Sequence, residues 1–147
     1  MDSQKIIALL PYSKPFLFVD GINYIDESSV EGHFTFDENL AFYSGHFKDN
    51  PVTPGVILVE TMAQIGLVCL GIYLLKNDVV PLPFVLTSTQ IDFLKPVFPN
   101  EKVVVSAKKI YFRFGKLKCD VKMCNKIGEV VCEGTISGMQ ISGAEQK

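Results

Sequence analysis

Over residues 56–75 apolar side chains follow one another almost without relief. The run is broken only by Glu60, Thr61 and Gln64 and by the small or sulfur-bearing Gly66, Cys69 and Gly71. A helix that is apolar on nearly every side is buried on nearly every side, so the pattern predicts one central helix. Pro54 and Gly55 suit its start, proline fitting the first turn and glycine letting a ligand come close to the backbone. Asn77 and Asp78, followed by Pro81, suit its end. About twenty residues could also span a bilayer. Glu60, with Gln64 one turn later on the same face and no basic cluster at either flank, argues instead for the core of a soluble domain.

The rest of the chain reads mainly as strand. Residues 6–10 predict a short helix ended by Pro11, and residues 16–25 a first strand. The cluster Asp26-Glu27-Ser28-Ser29 turns the chain into a second strand over 30–36. After Pro81 come strands over 84–93, 102–112, 117–125 and 129–141, parted by Pro-Asn-Glu, Phe-Gly-Lys and Lys-Ile-Gly turns. Residues 116–123 alternate cleanly, Leu117, Cys119, Val121 and Met123 against Lys116, Lys118, Asp120 and Lys122, the pattern of a strand with one wet face. Two strands, a buried helix and four more strands predict an α+β domain, a curved antiparallel sheet wrapped around one long helix. At 147 residues and 48% hydrophobic, the chain is expected to form this one domain over 1–147. The helix side left open by the sheet needs cover, and a second copy of the chain is the economical source.

The candidate chemistry lies where the loop enters that helix. Glu60 falls five residues in, roughly 7–8 Å along the axis. A buried carboxyl is pushed toward its neutral form and can act as an acid near neutral pH. The free amides at Gly55 and Val56 point out of the helix start and could hold a developing oxyanion. His46, in the loop before, could supply a base. Base, acid and oxyanion hole suit proton abstraction beside a carbonyl with loss of a neighbouring hydroxyl. His33, between Gly32 and Phe34 in an ordinary strand, is expected to be structural.

Composition narrows the alternatives. Cys69, Cys119, Cys124 and Cys132 make no C-x-x-C pair and no metal-like cluster with the two histidines, so reduced thiols in a cytoplasmic protein are expected, with no metal or redox cofactor. The opening MDSQKIIALL has one lysine and a very short apolar run, unlike a signal peptide. Residues 102–126 carry eight cations against Asp120 alone, whereas residues 1–60 carry nine acids against three lysines. The basic stretch is either a solvated face or a dock for an acidic partner. A net charge of −2 and the lack of a recognition motif argue against nucleic acid.

The run GHFKDNPVTPGVILVETMAQ, residues 45–64, resembles the signature of the hot-dog-fold (3R)-hydroxyacyl-[acyl-carrier-protein] dehydratases of the FabZ type. Gly-His-Phe, Pro-x-x-Pro-Gly-Val and Glu-x-Met-Ala-Gln stand in that family's order and spacing. The likeness continues in LPYSKPFLFVD (10–20) and FLKPVFPNE (93–101) and covers about residues 6–139. It implies the hot-dog fold and dehydration of a 3-hydroxyacyl thioester carried on acyl-carrier protein, in fatty acid or related polyene or polyketide synthesis. It implies His46 as base, the Gly55 amide as oxyanion donor and Glu60 as the acid reaching in from the other subunit of a homodimer, which could assemble further as a trimer of dimers. Phe47, Pro54, Val56 and Gln64 are expected to contact the substrate. Sister isomerising dehydratases usually carry Asp at the position of Glu60, which sets this chain with the non-isomerising type. The sequence departs from the family at Lys48-Asp49-Asn50 (commonly Pro-Gly-His or Pro-Gly-Asn), at Tyr12-Ser13 (commonly His-Arg), at Pro99-Asn100-Glu101 (commonly Pro-Gly-Asp) and in the fewer basic residues over 90–95. These departures bear on carrier docking and substrate choice. The alternatives are a hot-dog acyl thioesterase, which would lack this pairing of motifs, and a non-catalytic acyl-binding subunit.

Overall fold

The apolar run forms helix α2, Gly55–Leu74, in a computed structural model that describes residues 2–76 and 83–141. Pro54 occupies the N-cap with extended backbone, and its carbonyl accepts from the N–H groups of Ile57 and Leu58. The expected stop at Asn77, Asp78 and Pro81 lies outside the described residues. Helix α1, Ser3–Ala8, is capped by Asp2, whose side chain accepts the Lys5 N–H at 2.8 Å.

Around α2 runs one antiparallel six-stranded sheet: β1 Gly21–Ile25, β2 Ser29–Thr35, β3 Phe84–Phe93, β4 Lys102–Arg113, β5 Lys116–Asn125 and β6 Val130–Gln140, in the order β1-β2-β4-β5-β6-β3. The inward residues of the central strands, among them Val103, Val105, Leu117, Cys119, Val121 and Met123, are fully or almost fully buried. Each large apolar side chain taken from water adds about 1.5–3 kcal/mol. The helix sits close on the sheet because small residues face each other there. A methyl on Gly66 would lie 3.0 Å from the Ala107 Cβ and 3.2 Å from Val121, and one on Gly32 2.8 Å from Ile65.

Three details differ from the sequence reading. The first strand starts at Gly21, not at residue 16, because Gln64 takes the Phe16 carbonyl and the Phe18 N–H that a strand would need. Over Ala63–Cys69 the helix widens to i→i+5 hydrogen bonding, a rearrangement that often accompanies function. The chain also covers most of α2 by itself: every residue from 61 to 72 is buried, with Phe18 latched against the helix by Gln64. What stays open is the first turn, with Val56 75% exposed, and the edge strand β3, where Val85, Leu86 and Phe93 reach solvent.

Candidate active site

The loop before α2 is tied down by its own backbone. After a single 3-10 turn, Ala41–Ser44, the His46 N–H donates to Phe42 O at 3.0 Å and the Val52 N–H to His46 O at 2.9 Å. The His46 ring completes the clasp, its Nδ1 lying 2.8 Å from the Val52 carbonyl. A carbonyl can only accept, so Nδ1 carries the hydrogen and Nε2 of the neutral ring keeps a free lone pair. Phe47, half exposed, stacks on the imidazole with ring centres 4.0 Å apart. The unusual Lys48-Asp49-Asn50 makes a tight exposed turn, with Phe47 and Asn50 exchanging backbone hydrogen bonds at 2.8 and 2.9 Å and Asp49 at φ +60°. Aspartate tolerates that left-handed conformation better than most residues.

From there the chain is steered into the helix. The Thr53 N–H donates to Val97 O at 2.9 Å, and its hydroxyl meets the Tyr43 phenol at 2.5 Å. Gly55 follows Pro54, and the Phe93 ring leaves no spare room at its Cα, since a methyl there would lie 3.2 Å from the ring. The first-turn amides of a helix lack intrahelical acceptors and carry the positive end of its dipole. They open beside a cavity of about 330 Å³ between Gly55, Leu58, Phe93 and Leu94.

Glu60 faces a second cavity of about 310 Å³, walled by Tyr12, Phe16, Phe84, Val85 and Leu86. Burial raises its pKa above the usual glutamate value, and a hydrogen bond from Gln64 partly opposes the rise. That bond is one of three. The fully buried Gln64 amide donates to Glu60 Oε2 at 3.0 Å and to Phe16 O at 2.9 Å, and accepts the Phe18 N–H at 2.8 Å. Both amide hydrogens are thus committed to the protein, so Gln64 positions Glu60 and has no hydrogen left for a substrate. Tyr12, noted in the sequence only as a departure, shares the cavity. Its phenol is pushed up to about 12 by burial, then by Glu60 and Cys69. Only the wrap of the N-terminal segment over α2 reveals that neighbour.

Of the residues singled out in the sequence, Gly55 and Glu60 line separate cavities, and His46 lines neither. Pro54 serves as the helix cap and Val56 projects into solvent. His33 is held by Asn23 Oδ1 at 2.9 Å on the sheet, as a structural histidine would be. Among the described residues no group of three His, Cys, Asp or Glu could hold a metal ion.

Residues 10–136 match the FabA-like domain family. The 3-hydroxyacyl-[acyl-carrier-protein] dehydratase FabZ of Caldicellulosiruptor bescii is 38% identical over 136 residues, covering 90% of this chain and 93% of its own. This chain belongs to the FabZ-type dehydratases of the FabA-like family. The FabZ of Sinorhizobium fredii is 35% identical over 145 residues, covering 96% of this chain and 90% of its own. Among solved structures, the dehydratase heterocomplex ApeI:P from Xenorhabdus doucetiae superimposes with a TM-score of 0.81 at 12% identity, over 96% of this chain and 93% of that one. A hypothetical thioesterase with coenzyme A from Streptococcus pneumoniae gives 0.63 at 17% identity, over 82% and 84%. At such low identity these two establish that the FabZ-type chain has the hot-dog fold and nothing further.

Proposed function

We propose that this FabZ-type dehydratase removes water from a 3-hydroxyacyl group carried as a thioester on acyl-carrier protein, giving the trans-2-enoyl thioester for fatty acid synthesis or a related polyene or polyketide route. His46 Nε2 takes the proton from Cα, and the electron pair of that C–H bond becomes the new double bond. The Gly55 N–H steadies the thioester oxygen as charge gathers on it, and Glu60 gives its proton to the departing hydroxyl, which leaves as water. The proton on His46 then returns to Glu60, restoring both groups. The observation that carries this reading is the complementary state of the two side chains. One is an imidazole whose tautomer is fixed by the Val52 carbonyl, and the other a carboxyl raised by burial and aimed by Gln64.

The site is completed by a second copy, Glu60 working with His46 of the partner subunit. Supporting this, His46 lines neither cavity, and the open edge β3 exposes Val85, Leu86 and Phe93 beside both of them. The protein works in the cytoplasm; among the described residues the one helix long and apolar enough to cross a membrane, Gly55–Leu74, is mostly buried, as the core helix of a soluble domain is. Incubation with a panel of 3-hydroxyacyl thioesters followed by mass spectrometry tests the chemistry. Loss of water with the thioester intact is expected. A freed thiol would make the protein a thioesterase, and an unchanged substrate a binding subunit. Native mass spectrometry of the same sample distinguishes a dimer from a trimer of dimers.

A further inference from the structure

Two hydroxyls meet in the dry interior behind the His46 loop. Tyr43 and Thr53 are 5% and 4% exposed, and their oxygens lie 2.5 Å apart. Burial strips both groups of water, and the one bond between them does little more than offset that loss. Apolar side chains of the same shape would hold the loop about as firmly. Stability alone therefore gives no reason for a polar pair here.

The place of Thr53 in the chain supplies one. Before it stands Val52, whose carbonyl accepts the His46 Nδ1–H at 2.8 Å. After it come Pro54, the cap of α2, and Gly55, whose amide opens the helix. A rotation of the backbone at Thr53 would swing the Val52 carbonyl and the Gly55 amide relative to each other. Thr53 is pinned against that rotation twice, its N–H donating to Val97 O at 2.9 Å and its hydroxyl meeting the Tyr43 phenol.

The Tyr43 end is fixed in turn. Its N–H donates to Leu40 O at 3.1 Å, and the Phe42 ring packs edge-on at 4.7 Å. Phe42 O also receives the His46 N–H, so the phenol ties the turn that holds His46 to the residue that leads into the helix. Burial raises the Tyr43 phenol above its usual pKa, which keeps it protonated and the bond intact. Thr53 lines the 330 Å³ cavity beside Gly55, whereas Tyr43 does not, so the phenol acts through Thr53.

We infer that Tyr43 and Thr53 are positioning residues for the dehydration, their paired hydroxyls holding the Gly55 amide and the Val52 carbonyl in one fixed relation to the His46 ring. The inference rests on the dehydratase reading above and adds two residues to its machinery.

Tyr43→Phe and Thr53→Val each delete one hydroxyl at nearly constant shape, and the double variant deletes both. On a 3-hydroxyoctanoyl N-acetylcysteamine thioester, all three should lose about 10–100-fold in kcat with KM little changed. The double variant should lose no more than the worse single one, because each breaks the same bond. Thr53→Ser keeps the hydroxyl and should restore most of kcat. A merely structural pair predicts otherwise: the single variants would melt low, and the double variant, with no orphaned hydroxyl, would melt and turn over like wild type. Recovery of kcat in the double variant, or a loss that falls on KM instead, would overturn the inference. A second readout needs no turnover. Nitrogen NMR of the imidazole, assigned against His46→Ala, should show the hydrogen on Nδ1 of His46 in the wild-type protein. Both single variants should show a mixture of the two tautomers as the Val52 carbonyl drifts. An unchanged tautomer in both would overturn the inference too. If the wild-type protein dehydrates no 3-hydroxyacyl thioester, the dehydratase reading has failed, and the positioning of His46 stands or falls on the tautomer alone.

Discussion

One hydrogen bond decides what His46 can do. With Nδ1–H given to the Val52 carbonyl, Nε2 is the nitrogen left to accept a proton. His46→Ala should therefore lower kcat by about 10²–10⁴-fold while the circular dichroism spectrum and melting curve stay close to wild type. Glu60 offers a test of the opposite kind, in pH. Its folded pKa lies above the ordinary 4.5, so the stability tied to its neutral form is present in full below that value and is lost as pH rises through the folded pKa. Glu60→Gln should abolish turnover yet melt higher than wild type at pH 8, with the gain vanishing near pH 4. A melting difference that does not change with pH would show that burial is not what shifts this carboxyl. Gln64 gives the third case. Gln64→Met removes the donor that holds Glu60 down, so the alkaline limb of the kcat profile should move to higher pH as kcat falls. A uniform loss with the limb unmoved would leave Gln64 a purely structural role. Sequence made His46 and Glu60 visible because an acid in an apolar run and a histidine beside a helix start are chemically conspicuous. It could not show Gln64 as the latch, because its partners at Phe16 and Phe18 are backbone groups more than forty residues away.

Among the elements, those whose pattern is set by burial were legible. Strand β5 alternates in sequence and alternates in burial, and α2 is apolar apart from Glu60, Thr61 and Gln64 and buried through its middle. The segment before β1 has the composition of a strand without being one, because apolar content marks contact with the core and says nothing of where the backbone bonds go. The widened turn over Ala63–Cys69 was invisible for a related reason: i→i+5 bonding leaves the apolar character of a buried stretch unaltered. The close seat of this stretch on the sheet makes a measurable claim. Gly66→Val adds methyl groups where Ala107 and Val121 already stand at 3.0 and 3.2 Å, and should cost about 1–3 kcal/mol in urea unfolding.

For the whole molecule, the sequence singles out His46, Gly55 and Glu60 as candidates but does not show how they are grouped. Only the coordinates place Glu60 in a cavity walled by the N-terminal segment and β3, and His46 on a loop outside it. Mixing inactive His46→Ala chains with inactive Glu60→Gln chains should restore activity, because mixed pairs unite one intact His46 with one intact Glu60. No recovery after demonstrated chain exchange would place both residues in a single chain's site.

The open edge of β3 carries this one step further. A strand with unpaired backbone and exposed Val85, Leu86 and Phe93 cannot stay bare without inviting aggregation. If the proposed second copy covers it, that copy serves as catalyst and as protective coat together. Such an enzyme reports its own abundance. On serial dilution its rate should fall in proportion at first, then with the square of concentration once pairs come apart. The same dilute samples should begin to scatter light on warming, while concentrated ones stay clear.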